Sequence, residues 1–392
     1  MKNKIDNFLT SKYDPSYDFV NFNLTYVVRE SIDGNEPSIS FYEDIRNFVL
    51  SLKKVKTIYI SILYESPCYS KWKNIVSNIK KQFPSKKVVV IINSTIATSD
   101  PYYHNVAVDD VILCHYFLLK DYRRIVVNKE SKQSMRWNNN SNKFLFFTGK
   151  PNRSHRIGTM YKFYKENYFD KMNWSFFMFD EMRDEAKAQL RQCFDVTDEE
   201  FDEFVTASLN DPERINELYT ETQHYDGIPY NFRNYDNALF SVVTETGYNP
   251  LFGPEYNAVW ITEKTWKPII NHLPFIVISS DNNFVKKLRE YGFSTFDYLY
   301  NSDEYDSVRY MNFKVPMFFE QVSSMYDNIK RNKQRVQEDI YHNYNLVKTM
   351  HDEQIVMLKN MIQKNNSKCD PENLINFYKF YDEEKLINYL LF

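Results

Sequence analysis

Short apolar runs rich in β-branched and aromatic residues alternate along this chain with segments of helical period. NLTYVVRE (23–30) predicts a strand and SFYEDIRNFVLSLK (40–53) a helix. TIYISILYES (57–66), CYSKWKNIVSNIKKQF (68–83), KKVVVIINS (86–94) and DVILCHYF (110–117) continue as strand, helix, strand and strand. Such a rhythm implies a parallel sheet covered by helices. It lapses from 125 to 142, where the polar RWNNNSN marks a domain boundary, and then restarts. KFLFFTG (143–149), NWSFFMF (173–179), NALFSVVTET (237–246) and LPFIVIS (273–279) predict strands. SHRIGTMYKFYKENY (154–168), ITEKTWKPIIN (261–271) and NNFVKKLREYG (282–292) predict helices, with an acidic helical insertion before 222 and helix beyond 315. The expectation is an α/β protein of two doubly wound domains facing a cleft, 1–142 and 143–370, with ligands at the carboxyl ends of the strands. Residues 371–392 are expected as a C-terminal helix packing back on the first domain.

Composition narrows the class. A length of 392 residues suits two domains, seven Gly exclude collagen-like and Gly-rich linker architectures, and 17% aromatic residues exclude a mainly disordered chain. Cys68, Cys114, Cys193 and Cys369 form no C-x-x-C pair and read as free thiols of a reducing compartment. The N-terminus lacks the apolar core of a secretory signal, and runs such as LPFIVIS fall far short of the roughly 20 residues that span a bilayer. A cytoplasmic protein without a membrane partner is expected.

The net charge of −3 hides an asymmetry. Residues 1–160 hold 24 Lys and Arg against 14 Asp and Glu, and the remainder holds 25 against 38. Positive charge concentrates in 53–87 and 120–156, which places Lys53, Lys54, Lys86, Lys87, Arg123 and Arg124 on a face suited to a polyanion. Lys-rich helices simply facing solvent would give the same pattern.

Two segments carry candidate chemistry. In FFTGKPNRSHR (146–156) a strand ends, Gly149 permits close backbone approach, and Lys150, Arg153, His155 and Arg156 gather at a helix start. Free N–H groups and the helix dipole favour an anion there. No G-x-G-x-x-G or P-loop is present. In the second segment VVTET (242–246), with Thr244 and Glu245, closes a strand before VWITEKTWKPIINHLPFIVIS (259–279). Thr262 is a plausible N-cap, followed by Glu263, Lys264 and Lys267 in the first turns. Lysines so near a helix N-terminus are unfavourable unless an anion compensates them, which points to a phosphate site.

TEKTWKPI, PFIVIS and LREYGFSTFDYL resemble the donor region of phage and bacterial glycosyltransferases of GT-B architecture, which are similar to family 10 fucosyltransferases. The resemblance covers 143–310. It implies two Rossmann-like domains and a nucleoside-diphosphate sugar, with UDP as its nucleotide, bound by the second domain. Glu263 would hold the ribose, and Lys264 and Arg153 the diphosphate.

No D-x-D stands at a strand end and no His/Cys/Asp cluster has ligand spacing, so neither metal nor other cofactor is expected. Transfer then requires cations and helix dipoles on the leaving diphosphate, and a base for the acceptor hydroxyl. Glu65 ranks first as base, with Asp109 and His115 as further candidates. A basic N-terminal half, an AT-rich composition and the phage resemblance favour double-stranded DNA carrying 5-hydroxymethylcytosine as acceptor, flipped into the site. A surface glycan is the alternative acceptor, and a non-enzymatic nucleic-acid-binding protein the alternative class. Tyr102, Tyr103 and Trp137 are candidate stacking aromatics.

Overall fold

The β-branched runs become strands and the amphipathic runs helices in the computed structural model, which describes residues 19–23, 39–51, 55–62, 69–93, 110–115, 118–119, 122, 126, 137–148, 151–176, 182–208, 235–245, 261–280 and 282–364. The chain divides into one unit of Met1–Lys120 with His351–Phe392 and a second of Asp121–Met350. Both carry a parallel sheet.

In the first unit β1 (Phe19–Asn23), β2 (Thr57–Ile62), β3 (Lys87–Asn93) and β4 (Asp110–Cys114) pair in that order. The first strand lies upstream of NLTYVVRE, of which only Asn23 is described. Helices α1 (Ile39–Ser51) and α2 (Tyr69–Gln82) make the first two crossovers and pack on each other. Right-handed crossovers between successive neighbours put both helices on one face. The described strands of this unit therefore show no reversal of order, which departs from the doubly wound expectation.

The second unit does reverse. Its described elements are β5 (Phe144–Thr148), α3 (Ser154–Lys165), β6 (Met172–Phe176), α4 (Arg183–Arg191), α5 (Asp198–Ser208), β7 (Ser241–Glu245), α6 (Glu263–Ile270), β8 (Phe275–Ser279), α7 (Phe284–Glu290), α8 (Asp303–Asp306), α9 (Met311–Asn328) and the part of α10 (Lys333–Lys364) up to Met350. The strand order is β6-β5-β7-β8, so the direction of winding changes between β5 and β7. Phe144 and Phe146 of β5 meet Phe163 of α3 at 5.4 and 5.2 Å between ring centroids. Phe163 in turn lies 5.8 Å from Phe319 of α9, and Phe240 and Phe144 each lie 6.4 Å from Tyr326 of the same helix. One face of the sheet is thus covered by α3 and α9. Because Val315 adjoins Gly158 while Tyr326 reaches the start of β5, the two helices run parallel and both begin at the carboxyl edge.

The acidic insertion supplies α4 and α5. Arg183–Asp202, Lys187–Asp198 and Arg191–Asp198 ion pairs join them. Thr197 and Glu200 exchange N-terminal hydrogen bonds as a capping box. Phe204 then packs edge-on against Tyr161 of α3.

The units divide at 120/121, whereas the polar Asn-rich stretch placed the boundary at 142/143. That stretch is anchored to the second unit. The Trp137 indole donates to Leu239 O at 2.7 Å, Ser141 Oγ donates to Asn237 O at 2.7 Å, and Tyr326 OH donates to Asn142 O at 2.9 Å. Trp137 is accordingly buried, which corrects its assignment as an exposed stacking residue. Residues 371–392 lie outside the described residues, but 351–364 of α10 already belong to the first unit. Among the described residues no helix is long and apolar enough to cross a membrane.

Gly158 lets α3 approach its neighbours closely. A Cβ there would stand 2.8 Å from Cys193 Sγ and 3.4 Å from Val315 Cγ2. Gly158→Ala is expected to lower unfolding free energy by about 1–3 kcal/mol, outweighing the roughly 1 kcal/mol that alanine gains as a helix former. Adding Cys193→Ala should recover part of that loss in urea unfolding; strict additivity would refute the contact as its cause.

Candidate functional site

The reversal between β5 and β7 opens the sheet. β5 pairs with β6 over five residues and β7 with β8 over five, but β5 and β7 pair only at Leu145–Ser241 and Phe146–Val242. Beyond those pairs the strands part toward their carboxyl ends, which is where ligands of doubly wound sheets enter. Thr148 and Glu245 end the two parted strands.

Glu245 ties this edge together. Its buried carboxylate accepts from Thr262 N at 2.5 Å, Thr262 Oγ1 at 2.7 Å and Thr265 Oγ1 at 3.0 Å, at the start of α6. Its main-chain carbonyl lies 2.8 Å from His155 Nε2, at the start of α3. A carbonyl only accepts, so that ring nitrogen carries the proton. Burial and the neighbouring Arg156, Lys314 and Arg153 charges push the His155 pKa well below its usual value. His155 therefore stands in the site as a neutral crosslink rather than as one of the cations expected at 150–156.

The cation count changes accordingly. Arg156 is buried and its pKa falls to about 10, chiefly through desolvation and then through Arg153, with Glu245 and Glu263 opposing. Arg153 is the N-cap residue of α3, with extended backbone and no side-chain cap hydrogen bond. The first turn of α3 holds no acidic residue. Thr262 is the N-cap of α6, its Oγ1 accepting from Lys264 N at 3.3 Å, as its position before the helix predicted. Lys264 Nζ meets Glu263 Oε1 at 2.5 Å and is part-exposed, whereas Lys267 and Glu263 are buried. The unfavourable position of Lys264 is thus compensated from within, by Glu263 and by the Glu245 carboxylate that faces it.

Thr244 lies beside Glu245 but on the other face of the sheet, by the alternation of strand side chains. Lys314 is the residue that sequence reasoning passed over. It sits fully buried in the first turn of α9, its Nζ 3.5 Å from Asp306 O, and its charge acts on His155. The signal was a single lysine inside the apolar run MNFKVPMFF (311–319).

Other expected residues fall elsewhere. Lys87 opens β3 and Lys86 precedes it, at the amino end of that strand, opposite the edge where parallel sheets take ligands. Lys86 Nζ donates to Val55 O at 2.6 Å, a structural bond rather than a free surface charge. His115 follows β4 half-buried, and its N–H donates to Gln354 Oε1 at 3.2 Å. Glu65, Asp109, Gly149, Lys150, Lys53, Lys54, Arg123, Arg124, Tyr102 and Tyr103 lie outside the described residues. Among the described residues no three His, Cys, Asp or Glu group as a metal site. A cavity of about 330 Å³ is lined in part by Arg289, Phe296, Asp297, Tyr298, Arg335 and Asp339, beyond the C-terminus of α7. Its charges are engaged locally, with Arg289 on Asp297 and Asp303 and Arg335 stacked 3.7 Å over Tyr298.

No protein-family model, curated protein or solved structure matches the chain.

Removing the tie should be costly. Glu245→Ala leaves three buried donors without their acceptor and is expected to lose about 2–4 kcal/mol of unfolding free energy. Burial raises the Glu245 pKa above its ordinary 4.5, with Lys264 opposing and Glu263 adding to the shift. A raised acid binds its proton more tightly folded than unfolded, so its ionisation costs stability as pH climbs from 4.5 through the folded pKa. The stability of Glu245→Gln relative to the native chain should then rise as pH climbs above 4.5 in urea titrations. A difference that stays flat there would refute the shift.

Proposed function

We propose that this chain is a glycosyltransferase that takes a sugar from a nucleoside-diphosphate donor, held by the second unit, and passes it to an acceptor hydroxyl. The observation that carries this is the parting of β5 and β7 at the reversal of strand order, beside a helix start that has Arg153 and Arg156 and no acid. A phosphate is the ligand such an arrangement suits best, because N–H groups, dipole and guanidinium charge all act in one direction. Charge that develops on the leaving diphosphate as the glycosidic bond breaks is stabilised by the same groups. A two-domain GT-B arrangement belongs to this proposal, with the base for the acceptor hydroxyl supplied by the first unit. Glu65, Asp109 and His115 are the base candidates there.

For the acceptor, the positive charge of residues 1–160 supports a polyanion, with hydroxymethylated duplex DNA as the preferred case. Since Lys86 holds Val55 O, the residues on which that preference rests are Lys53, Lys54, Arg123 and Arg124.

Nucleoside diphosphates at millimolar concentration should raise the melting temperature, by an amount equivalent to about 2.7 kcal/mol at a hundredfold excess over Kd. Arg153→Ala should weaken that binding by about ten- to a hundredfold. Absence of any shift with UDP, GDP, CDP or ADP would refute the donor site. If DNA is the acceptor, its binding should fall with log salt at a slope near −0.9 per phosphate contacted, and Arg124→Glu should flatten that slope without altering nucleotide affinity. Salt-independent DNA binding, or none, would remove DNA as the acceptor.

A further inference from the structure

The two helix starts flanking the reversal are not equivalent. The N-terminus of α6 already has its anion, since the Glu245 carboxylate takes Thr262 N and two threonine hydroxyls, and Lys264 is matched by Glu263. A phosphate there would have to displace a buried carboxylate from three hydrogen bonds.

On the opposite face the cations stand in the first turns themselves, with the Asp306 carboxylate acting on Lys314 and those of Glu245 and Glu263 on Arg156. α3 and α9 lie side by side, run parallel and begin at the same edge, and neither has an acidic residue in its first turn. Their dipoles therefore add instead of cancelling. Two buried cations, Arg156 of α3 and Lys314 of α9, stand in these first turns.

The floor beneath them holds two unsatisfied hydroxyls. Thr148 Oγ1 and Thr244 Oγ1 are buried and make no hydrogen bond among the described residues, although each residue is at most 2% exposed. Side chains alternate along a strand, so Thr148 shares the face of Phe144 and Phe146, which pack on α3. Thr244 shares the face of Phe240, which packs on Tyr326 of α9. Continuing the Leu145–Ser241 and Phe146–Val242 register brings Thr148 level with Thr244 across the parted strands. His155, reaching the carbonyl of Glu245, lays the first turn of α3 over the end of β7 and so over this pair. Buried hydroxyls without partners are uncommon, and a ligand oxygen would satisfy both.

Resting on the donor assignment above, we infer that the phosphate groups are received between the first turns of α3 and α9, by Lys314, Arg156 and the hydroxyls of Thr148 and Thr244, and not at the start of α6. Lys264 then becomes a partner of Glu263, outside the diphosphate's reach. Lys314 is a binding residue with the geometry of a point charge, able to follow phosphate oxygens without bidentate alignment.

Calorimetric titration with UDP, inorganic pyrophosphate and uridine tests the assignment. Lys314→Met should weaken UDP and pyrophosphate alike by about ten- to a hundredfold and leave uridine unchanged. Thr148→Val with Thr244→Val keeps the volume of the floor and should weaken both phosphate ligands by about fivefold or more. Lys264→Met should stay within about twofold of the native chain, since a partly exposed ion pair contributes little. Should Lys314→Met fail to fold, as judged by its melting curve, the double valine variant decides. Native-like phosphate affinity in the folded Lys314→Met protein or in the double valine variant overturns the inference. If Lys264→Met alone loses affinity, the phosphates sit at α6 and the donor assignment survives without this site. If the native chain binds neither UDP nor pyrophosphate, both fall.

Discussion

The parting of β5 from β7 is the constraint on which the second unit depends. A parallel strand can hand its chain to a helix on either face, and where the direction of winding changes, the two central strands send their helices to opposite faces. The pairing stops after two residue pairs; each strand end keeps only its outer neighbour in the ladder, Thr148 with Phe176 and Glu245 with Ser279, and side chains must hold the rest of the edge.

Glu245 does most of that holding. Its carbonyl fixes the start of α3 through a neutral histidine, and its carboxylate fixes the start of α6 through Thr262 and Thr265. A buried carboxylate is costly to desolvate, which is why its pKa rises, but three donors and the nearby Lys264 offset much of that cost. The same device recurs at α7, where the Asp306 carboxylate accepts from Val285 N and Lys286 N at 3.0 Å each. Two of the helix starts at this edge are therefore closed by carboxylates from the chain itself. Those of α3 and α9 carry buried cations and no acid in their first turns.

Charge along the chain and charge at a site proved to be different quantities. The second unit includes the acidic insertion, yet Asp198 and Asp202 there are engaged in ion pairs between α4 and α5, and Glu200 in the cap of α5. Conversely, Lys86 belongs to the basic half but holds a backbone carbonyl at the amino end of a strand. A charged side chain acts on a ligand only if the fold leaves it facing one, and burial at a strand end counts for more than local abundance.

The strands and helices were legible in the sequence because they follow local rules. FLFFT and FIVIS are nearly continuous apolar runs of the kind that a sheet buried on both faces takes, and Thr262 before Glu263 is a cap wherever it stands. Gathering Arg153, Arg156, Thr244, Glu245 and Glu263 at strand ends and helix starts needed no more than that. What the sequence could not decide was which groups answer one another. Glu245 and Thr262 are seventeen residues apart, His155 and Glu245 ninety, and Lys314 reaches the start of α3 from a helix that begins more than 140 residues later. Local pattern determines an element and the residue types at its ends. Tertiary packing alone decides whether a carboxylate there awaits a ligand or already closes a helix, because that depends on donors brought in from distant parts of the chain.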